Sequence, residues 1–276
     1  MDKVWLITGA NSGFGRAFTE AAVAAGDIVV ATARRPEALT DLVSAHPDRV
    51  EAVRLDVTDQ AAGSAVIDDV IARHGRIDVL VNNAGRTHVG AVEETADDEL
   101  RDLFDVHLFG PTALIRAALP HMRDRRSGAI VQLSSMGGQL SFAGFGAYSA
   151  TKFALEGLSE ALADEVRPLG IKVLIVEPGA FRTGLFGNAS ASGGQIEDYD
   201  STAGNTRRVV AAGDGTQAGD PAKAAAAVIA ALEAEHTPLR LPLGDDSVDA
   251  ILAHLDTVRA EIATWEKTAR GTAFHS

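Results

Sequence analysis

Six short apolar runs, rich in β-branched residues, punctuate the first two thirds of this chain, and segments of helical period separate them. The runs are VWLIT (4–8), DIVVAT (27–32), VEAVRLD (50–56), IDVLVNN (77–83), AIVQLSS (129–135) and IKVLIVEP (171–178). Several are almost continuously apolar, as strands are when both faces of a parallel sheet are covered. Helical patterns occupy 15–25, 60–74, 97–119 and 151–167, among others. Alternation of this kind predicts an α/β fold, a doubly wound parallel sheet of about seven strands with helices on both faces. Ligands of such sheets sit beyond the carboxyl ends of the strands, here Asn82–Asn83, Ser134–Ser135 and Glu177–Pro178.

The later part of the chain is read as an Ala-rich helix over 221–235, a short edge strand over 238–244 and a closing helix over 245–269. Residues 184–220 differ, being rich in Gly, Ala, Ser, Asn and Asp with little periodicity. A stretch of that length after the sixth run is expected to be a mobile substrate lid within one domain spanning 1–276. The chain has 276 residues, enough for one large core, and no cysteine, which removes disulfides and thiolate chemistry. Its net charge of −13 argues against nonspecific nucleic-acid binding, which needs a basic footprint. No apolar run approaches the ~20 residues of a membrane span and no secretory signal is visible, so a cytoplasmic protein is expected. His46, His74, His121 and His236 lack metal-ligand spacing, and no metal site is expected.

The first strand runs into TGANSGFGRAF, with Gly9, Gly13 and Gly15 around a turn that opens a helix. Backbone N–H groups and the positive end of a helix dipole suit phosphate there, and a Rossmann-type dinucleotide site follows from that context. The second strand ends at Ala33, followed by Arg34 and Arg35 where a site preferring NAD would carry an acid. Asp27 lies too early and Glu37 beyond Pro36. A guanidinium fork suits a 2′-phosphate, so NADP(H) is favoured over NAD(H).

Tyr148 and Lys152 stand four residues apart within a helical pattern, and Ser135 lies thirteen residues before the tyrosine. Residues i and i+4 share a helix face. A fixed ammonium beside a phenol favours the phenolate and is expected to lower its pKa. Such a group exchanges a proton with a carbonyl or alcohol oxygen, and the serine is placed to hydrogen-bond the same oxygen.

Taken together, TGANSGFG (8–15), NNAG (82–85), Ser135, Y-x₃-K (148–152) and P-G-x₃-T (178–183) resemble the classical short-chain dehydrogenase/reductase family over about residues 3–185. The long C-terminal helix resembles the branch related to hydroxysteroid and retinol dehydrogenases. The resemblance implies a catalytic set of Ser135, Tyr148 and Lys152, the lysine also holding the cofactor's ribose. It implies a cofactor site of Gly9, Asn11, Ser12, Gly13, Phe14, Gly15, Arg34, Arg35, Asp56, Val57, Asn83, Ala84, Gly85, Tyr148, Lys152, Pro178, Gly179, Phe181 and Thr183. It implies an NADP(H)-dependent oxidoreductase interconverting a ketone or aldehyde and an alcohol. Alternative readings are a non-catalytic NADP(H)-sensing regulator on the same fold, or an epimerase or dehydratase of the extended relatives. Helices 97–119 and 151–167 commonly pair between subunits in the family, so a homodimer or homotetramer is expected.

Where the family usually has a relay asparagine, this chain has His107, on the inward face with Leu100, Leu103 and Phe104. It is read as a proton-relay residue, with Gly110–Pro111 able to kink its helix. Phe142, Phe145, Phe181, Leu185 and Phe186 near the site suggest an apolar or aromatic substrate. Arg182, Arg207 and Arg208 are read as solvated, or paired with acids of the 184–220 loop.

Overall fold

The computed structural model describes residues 2–274. Met1, His275 and Ser276, at the ends of the expected 1–276 domain, lie outside the described residues. The main sheet contains β1 (Val4–Thr8), β2 (Ile28–Ala33), β3 (Val50–Arg54) and β4 (Val79–Asn82). A two-residue β5 (His88–Val89) precedes β6 (Gly128–Leu133), β7 (Ile171–Pro178), β8 (Ser190–Ala191) and β9 (Arg240–Leu243). The helices are α1 (Gly13–Ala24), α2 (Thr40–Ala45), α3 (Gln60–His74), α4 (Asp97–Phe104) and α5 (Gly110–Arg125). They continue with α6 (Gly146–Val166), α7 (Asn205–Gly213), α8 (Pro221–Glu233) and α9 (Asp245–Arg270).

Seven parallel strands lie in the order β3-β2-β1-β4-β6-β7-β9, the Rossmann-type sheet the alternation predicts. The period of two divides each strand between two cores. Trp5 and Ile7 of β1 face the cluster completed by Phe18 of α1 and by Ala225 and Val228 of α8. Val4 and Leu6 face Ile67, Leu114 and Leu162 of α3, α5 and α6 on the opposite side. Each such fully buried aliphatic contributes roughly 1.5–3 kcal/mol, so both helical layers are held mainly by apolar burial. Among the described residues no helix is long and apolar enough to cross a membrane.

Two stretches depart from the sequence reading. The helix expected over 97–119 is three pieces, because a wide π turn, Asp105–Phe109, joins α4 to α5. Pro111 has no N–H to continue the ladder, and the Gly110 N–H reaches back five residues to the Asp105 carbonyl. Past that turn α5 tolerates Pro120 and runs to Arg125. Residues 184–220 hold more structure than their composition suggests. β8 pairs in parallel with β5, a tight 3₁₀ turn at Glu197–Tyr199 leads into a wide π turn at Asp200–Gly204, and α7 follows.

Candidate active site

Beyond Thr8 the chain turns through Gly9 into α1. Gly9 and Gly13 have φ of +64° and +52°, a left-handed region that costs other residues a Cβ clash. A Cβ on Gly15 would collide with the Gly9 carbonyl oxygen, so the turn can close this tightly only around glycine. Asn83 fixes it from β4. Its Nδ2 donates to the carbonyls of Thr8 (2.8 Å) and Gly9 (3.1 Å). The N–H groups of Asn83 and Ala84 donate to Thr8 Oγ1 at 2.9 and 3.0 Å. Asn11 and Ser12 are exposed at the mouth of α1, where Ser12 makes no side-chain cap bond.

The surrounding segments converge on this turn. The Ala10 N–H donates to Thr32 O at 3.0 Å, which sets the turn beside the tip of β2. Arg34 and Arg35 are exposed just past that tip, and neither has an ion-pair partner among the described residues. Asp56 is exposed after β3, and hydrogen bonds from the Thr58 N–H and hydroxyl hold its carboxyl below the usual range; Val57 beside it is buried. From the far side, β7 ends in Pro178–Gly179 and Phe181 packs on Phe14 with centroids 5.1 Å apart. Thr183 lies so close to Gly13 that a Cβ there would sit 2.9 Å from Thr183 Cβ. Asn83, Ala84 and Gly85 complete the wall where strand order reverses between β1 and β4, the position at which such sheets form a crevice.

Ser135, Tyr148 and Lys152 meet at the carboxyl edge of β6. Ser135 follows the strand in extended conformation and accepts the Gly137 N–H at 3.1 Å. Its hydroxyl faces the Tyr148 phenol, in the first turn of α6, and favours the phenolate. One turn further, Lys152 Nζ donates to Leu133 O at 2.8 Å and lies 5.6 Å from the centre of the tyrosine ring. Tyr148 and Lys152 are buried, Ser135 half-buried.

The expected lowering of the phenol pKa is corrected. Burial pushes Tyr148 up to about 12, with the Ser135 hydroxyl opposing the rise. Burial also draws the Lys152 ammonium down to about 8, opposed by the Glu156 carboxylate. Helical spacing shows that the two groups are neighbours, but it does not show that both have left water. Removal from water disfavours either charged form, and here it outweighs what Ser135 and Glu156 do in the other direction. At neutral pH, Tyr148 is therefore a neutral phenol able to donate.

His107 lies in the π turn and is fully enclosed. Its Nε2 accepts the Arg86 N–H at 3.1 Å, and its Nδ1 lies 2.8 Å from Thr151 Oγ1. Thr151 Oγ1 donates its proton to Tyr148 O at 2.7 Å, so Nδ1 is the protonated nitrogen. Burial, then the charges of Lys152 and Arg86, hold the ring well below its usual pKa and neutral. With both nitrogens engaged, the relay role expected from the sequence has no free ring atom to run through. The imidazole instead meets the Tyr148 ring edge-on at 5.6 Å and 89°, an arrangement that braces the phenol. His107→Leu would leave the Arg86 N–H without its acceptor at about 1–3 kcal/mol, while the Thr151 hydroxyl keeps its bond to the Tyr148 carbonyl, and a kcat loss of roughly tenfold or more is expected. His107→Asn should keep most activity; equal near-wild-type rates in steady-state assays of both variants would refute the brace.

Other expectations resolve individually. Arg208 pairs with Asp200 at 2.7 Å inside the loop, whereas Arg207 pairs at 2.7 Å with buried Glu94 outside it. Arg182 donates to the Gln217 carbonyl. Phe145 lies 6.1 Å from the Tyr148 ring, while Phe142 is 47% exposed beside a groove also lined by Val92, Gly146, Tyr199 and Thr202. The sequence reading missed Glu156, Gln139 and Arg240, and named Glu177 only as a strand end; these four pack behind the site. One signal was available, since Glu156 continues the four-residue spacing of Tyr148 and Lys152.

Comparison with known proteins places this geometry. The profile of the family described as short chain dehydrogenase matches residues 3–193. Oxidoreductase BOA17 of Botryotinia fuckeliana is 36% identical over 274 residues, covering 99% of this chain and 100% of that protein. The crystal structure of a short-chain dehydrogenase from Streptomyces avermitilis superposes with a TM-score of 0.94 at 64% identity, covering 99% of this chain and 98% of the other. ElxO, solved with NADP bound, superposes with a TM-score of 0.75 at 25% identity, covering 90% of this chain and all of the other. The chain belongs to the short-chain dehydrogenase family of oxidoreductases, whose fold and nicotinamide crevice it carries.

Proposed function

We propose that this chain is an NADP(H)-dependent reductase or dehydrogenase that interconverts a ketone or aldehyde and the corresponding alcohol. The reading rests on one observation: Tyr148, buried with Lys152 one helical turn away and Ser135 at the end of β6, stands beside the glycine-turn crevice. The bound cofactor supplies or accepts the hydride. Ser135 donates a hydrogen bond to the substrate oxygen and orients it. Tyr148 gives that oxygen its proton during reduction and takes it back during oxidation. Lys152 binds the ribose hydroxyls and keeps a positive charge near the phenol below about pH 8, easing proton loss.

The residues present fit the cofactor. Gly9, Asn11, Ser12, Gly13, Phe14 and Gly15 offer a backbone cradle with no Cβ at its closest contacts, which suits a pyrophosphate. Asp56 and Val57 would take the adenine, Asn83, Ala84 and Gly85 the adenosine side, and Pro178, Gly179, Phe181 and Thr183 the nicotinamide. Arg34 and Arg35, exposed and in no ion pair among the described residues, would take the 2′-phosphate. The phenylalanines near Tyr148 favour an apolar or aromatic substrate, with 184–220 as its lid. One domain, a homodimer or homotetramer and a cytoplasmic setting complete the reading.

Cofactor oxidation with a panel of ketones and aldehydes tests it. NADPH should be consumed faster than NADH by the wild-type protein. Arg34→Ala/Arg35→Ala should weaken NADPH binding about 10–100-fold, as loss of charge-assisted hydrogen bonds implies, and leave NADH binding nearly unchanged. Equal use of both cofactors by the wild type would refute the NADP(H) preference, and no turnover across the panel would count against the reductase.

A further inference from the structure

We propose that Glu156 and Glu177 share one proton, and that this buried pair, held by Arg240, tunes the charge of Lys152 while tying together three segments of the active site. The inference rests on the reductase reading above. Glu156 stands one helical turn beyond Lys152 on α6, and Glu177 immediately precedes the Pro178–Gly179 turn at the end of β7. Their side chains are 5% and 0% exposed. Arg240 of β9 places Nε 3.0 Å from Glu156 Oε2 and 3.5 Å from Glu177 Oε1. That guanidinium also serves Glu160 at 2.9 Å, so three carboxylates divide one cation.

Two buried carboxylates that share one counter-charge with a third are expensive to ionise together, and pairs in that position keep a proton between them. The hydrogen-bond inventory agrees. Gln139, in the segment after Ser135, donates to Glu177 Oε1 at 2.6 Å. Among the described residues Glu156 Oε1 and Glu177 Oε2 have no hydrogen-bond partner, and Arg240 Nε, in contact with both side chains, holds the two carboxylates near each other. A proton on either carboxylate gives the other a donor. Burial above all, then Glu156, pushes Glu177 up to about 7, against Gln139 and Arg240.

The groups around the pair can be named element by element. Lys152 and Glu160 face it from α6 and Arg240 from β9. Gln139 and the unpartnered Ser134 hydroxyl face it from the stretch that ends β6, the latter against Gly138 beside Glu156. The Ser247 hydroxyl of α9 donates to the Glu177 carbonyl at 2.7 Å. Lys152 is the neighbour that matters for catalysis, because Glu156 holds its ammonium against the desolvation that draws it down. As pH rises through about 7 the shared proton leaves, the local negative charge grows, and Lys152 is supported as a cation where it would otherwise begin to deprotonate. The pair thereby extends the working range of the site to higher pH. Glu156 and Glu177 are positioning residues, acting through Lys152 and never on the substrate.

The test combines a readout independent of turnover with one that requires it. NMR titration of protein carrying carboxyl-¹³C glutamate should show one carboxyl titrating near pH 7. Glu177→Gln should remove that titration, and Glu156→Gln should move it to lower pH. In pH profiles of kcat, Glu177→Gln should lose the inflection near 7 and begin its alkaline fall earlier than wild type. Absence of a titrating carboxyl near neutrality would overturn the pair whatever the activity, and a wild-type kcat profile in Glu177→Gln would overturn its coupling to Lys152. If wild type turns over no ketone, the reductase reading falls by itself and the shared proton is judged on the NMR titration.

Discussion

Tyr148→Phe is expected to lower kcat for NADPH-dependent carbonyl reduction about 10²–10⁴-fold, the range for losing a positioned acid. The substitution removes a single oxygen. The ring keeps its edge-on contact with His107 at 5.6 Å and its neighbour Phe145 at 6.1 Å, so its place on α6 is retained. What disappears is the proton donor beside the Ser135 hydroxyl. Cofactor affinity, measured by fluorescence titration, should change little, because the glycine turn and its Asn83 brace do not touch the phenol oxygen. The loss should therefore appear in kcat and not in cofactor binding. A variant that retained kcat within about tenfold of wild type would assign the proton to another donor.

That prediction depends on a protonation state the sequence misjudged. Four-residue spacing brought Tyr148 and Lys152 together correctly, and the apolar runs located the strands whose ends carry Ser135 and Asn83. Local periodicity reads such things because both depend on neighbours within one element. Burial depends on what packs from elsewhere, and it reversed the direction of the phenol's shift. His107 illustrates the same limit. Its inward face was legible, but its partners Arg86 and Thr151 lie 21 and 44 residues away, and they decide whether a nitrogen is free. The π turn that carries it arises from Pro111, a residue the sequence reading marked only as a kink. Within 184–220, α7 has nine residues and β8 two, too few for a period to register. They are held by contacts with chain about a hundred residues earlier, Ser190 on His88 and Arg207 on Glu94.

The strongest of those contacts yields the second large effect. Glu94→Ala is expected to release the 190–208 segment from the body of the protein. The Glu94 side chain is fully enclosed and accepts four hydrogen bonds, from the Ala91 N–H (2.8 Å), the Ile196 N–H (2.8 Å) and Arg207 (2.7 and 3.4 Å). Deleting one partner of a buried ion pair costs about 3–5 kcal/mol, since the other charge is left desolvated and unpaired. Here the penalty need not unfold the sheet, whose cores lie elsewhere; it is relieved when the segment detaches and Arg207 returns to water. Hydrogen exchange at neutral pH should therefore quicken across 190–208 and stay unchanged in β1, β4 and β6. Glu94→Gln, which keeps acceptor and shape but not charge, should fall between. Acid should mimic the deletion. Arg207 holds the Glu94 carboxyl down to about 2, below its ordinary 4.5, so its contribution is complete above 4.5 and is lost as pH falls from there toward 2. If the segment acts as a lid, Glu94→Ala should raise KM more than it lowers kcat, because a loosened cover weakens substrate binding while Ser135, Tyr148 and Lys152 stay in place. Unchanged exchange across 190–208 would mean that the β5–β8 pairing and α7 hold the segment without the ion pair.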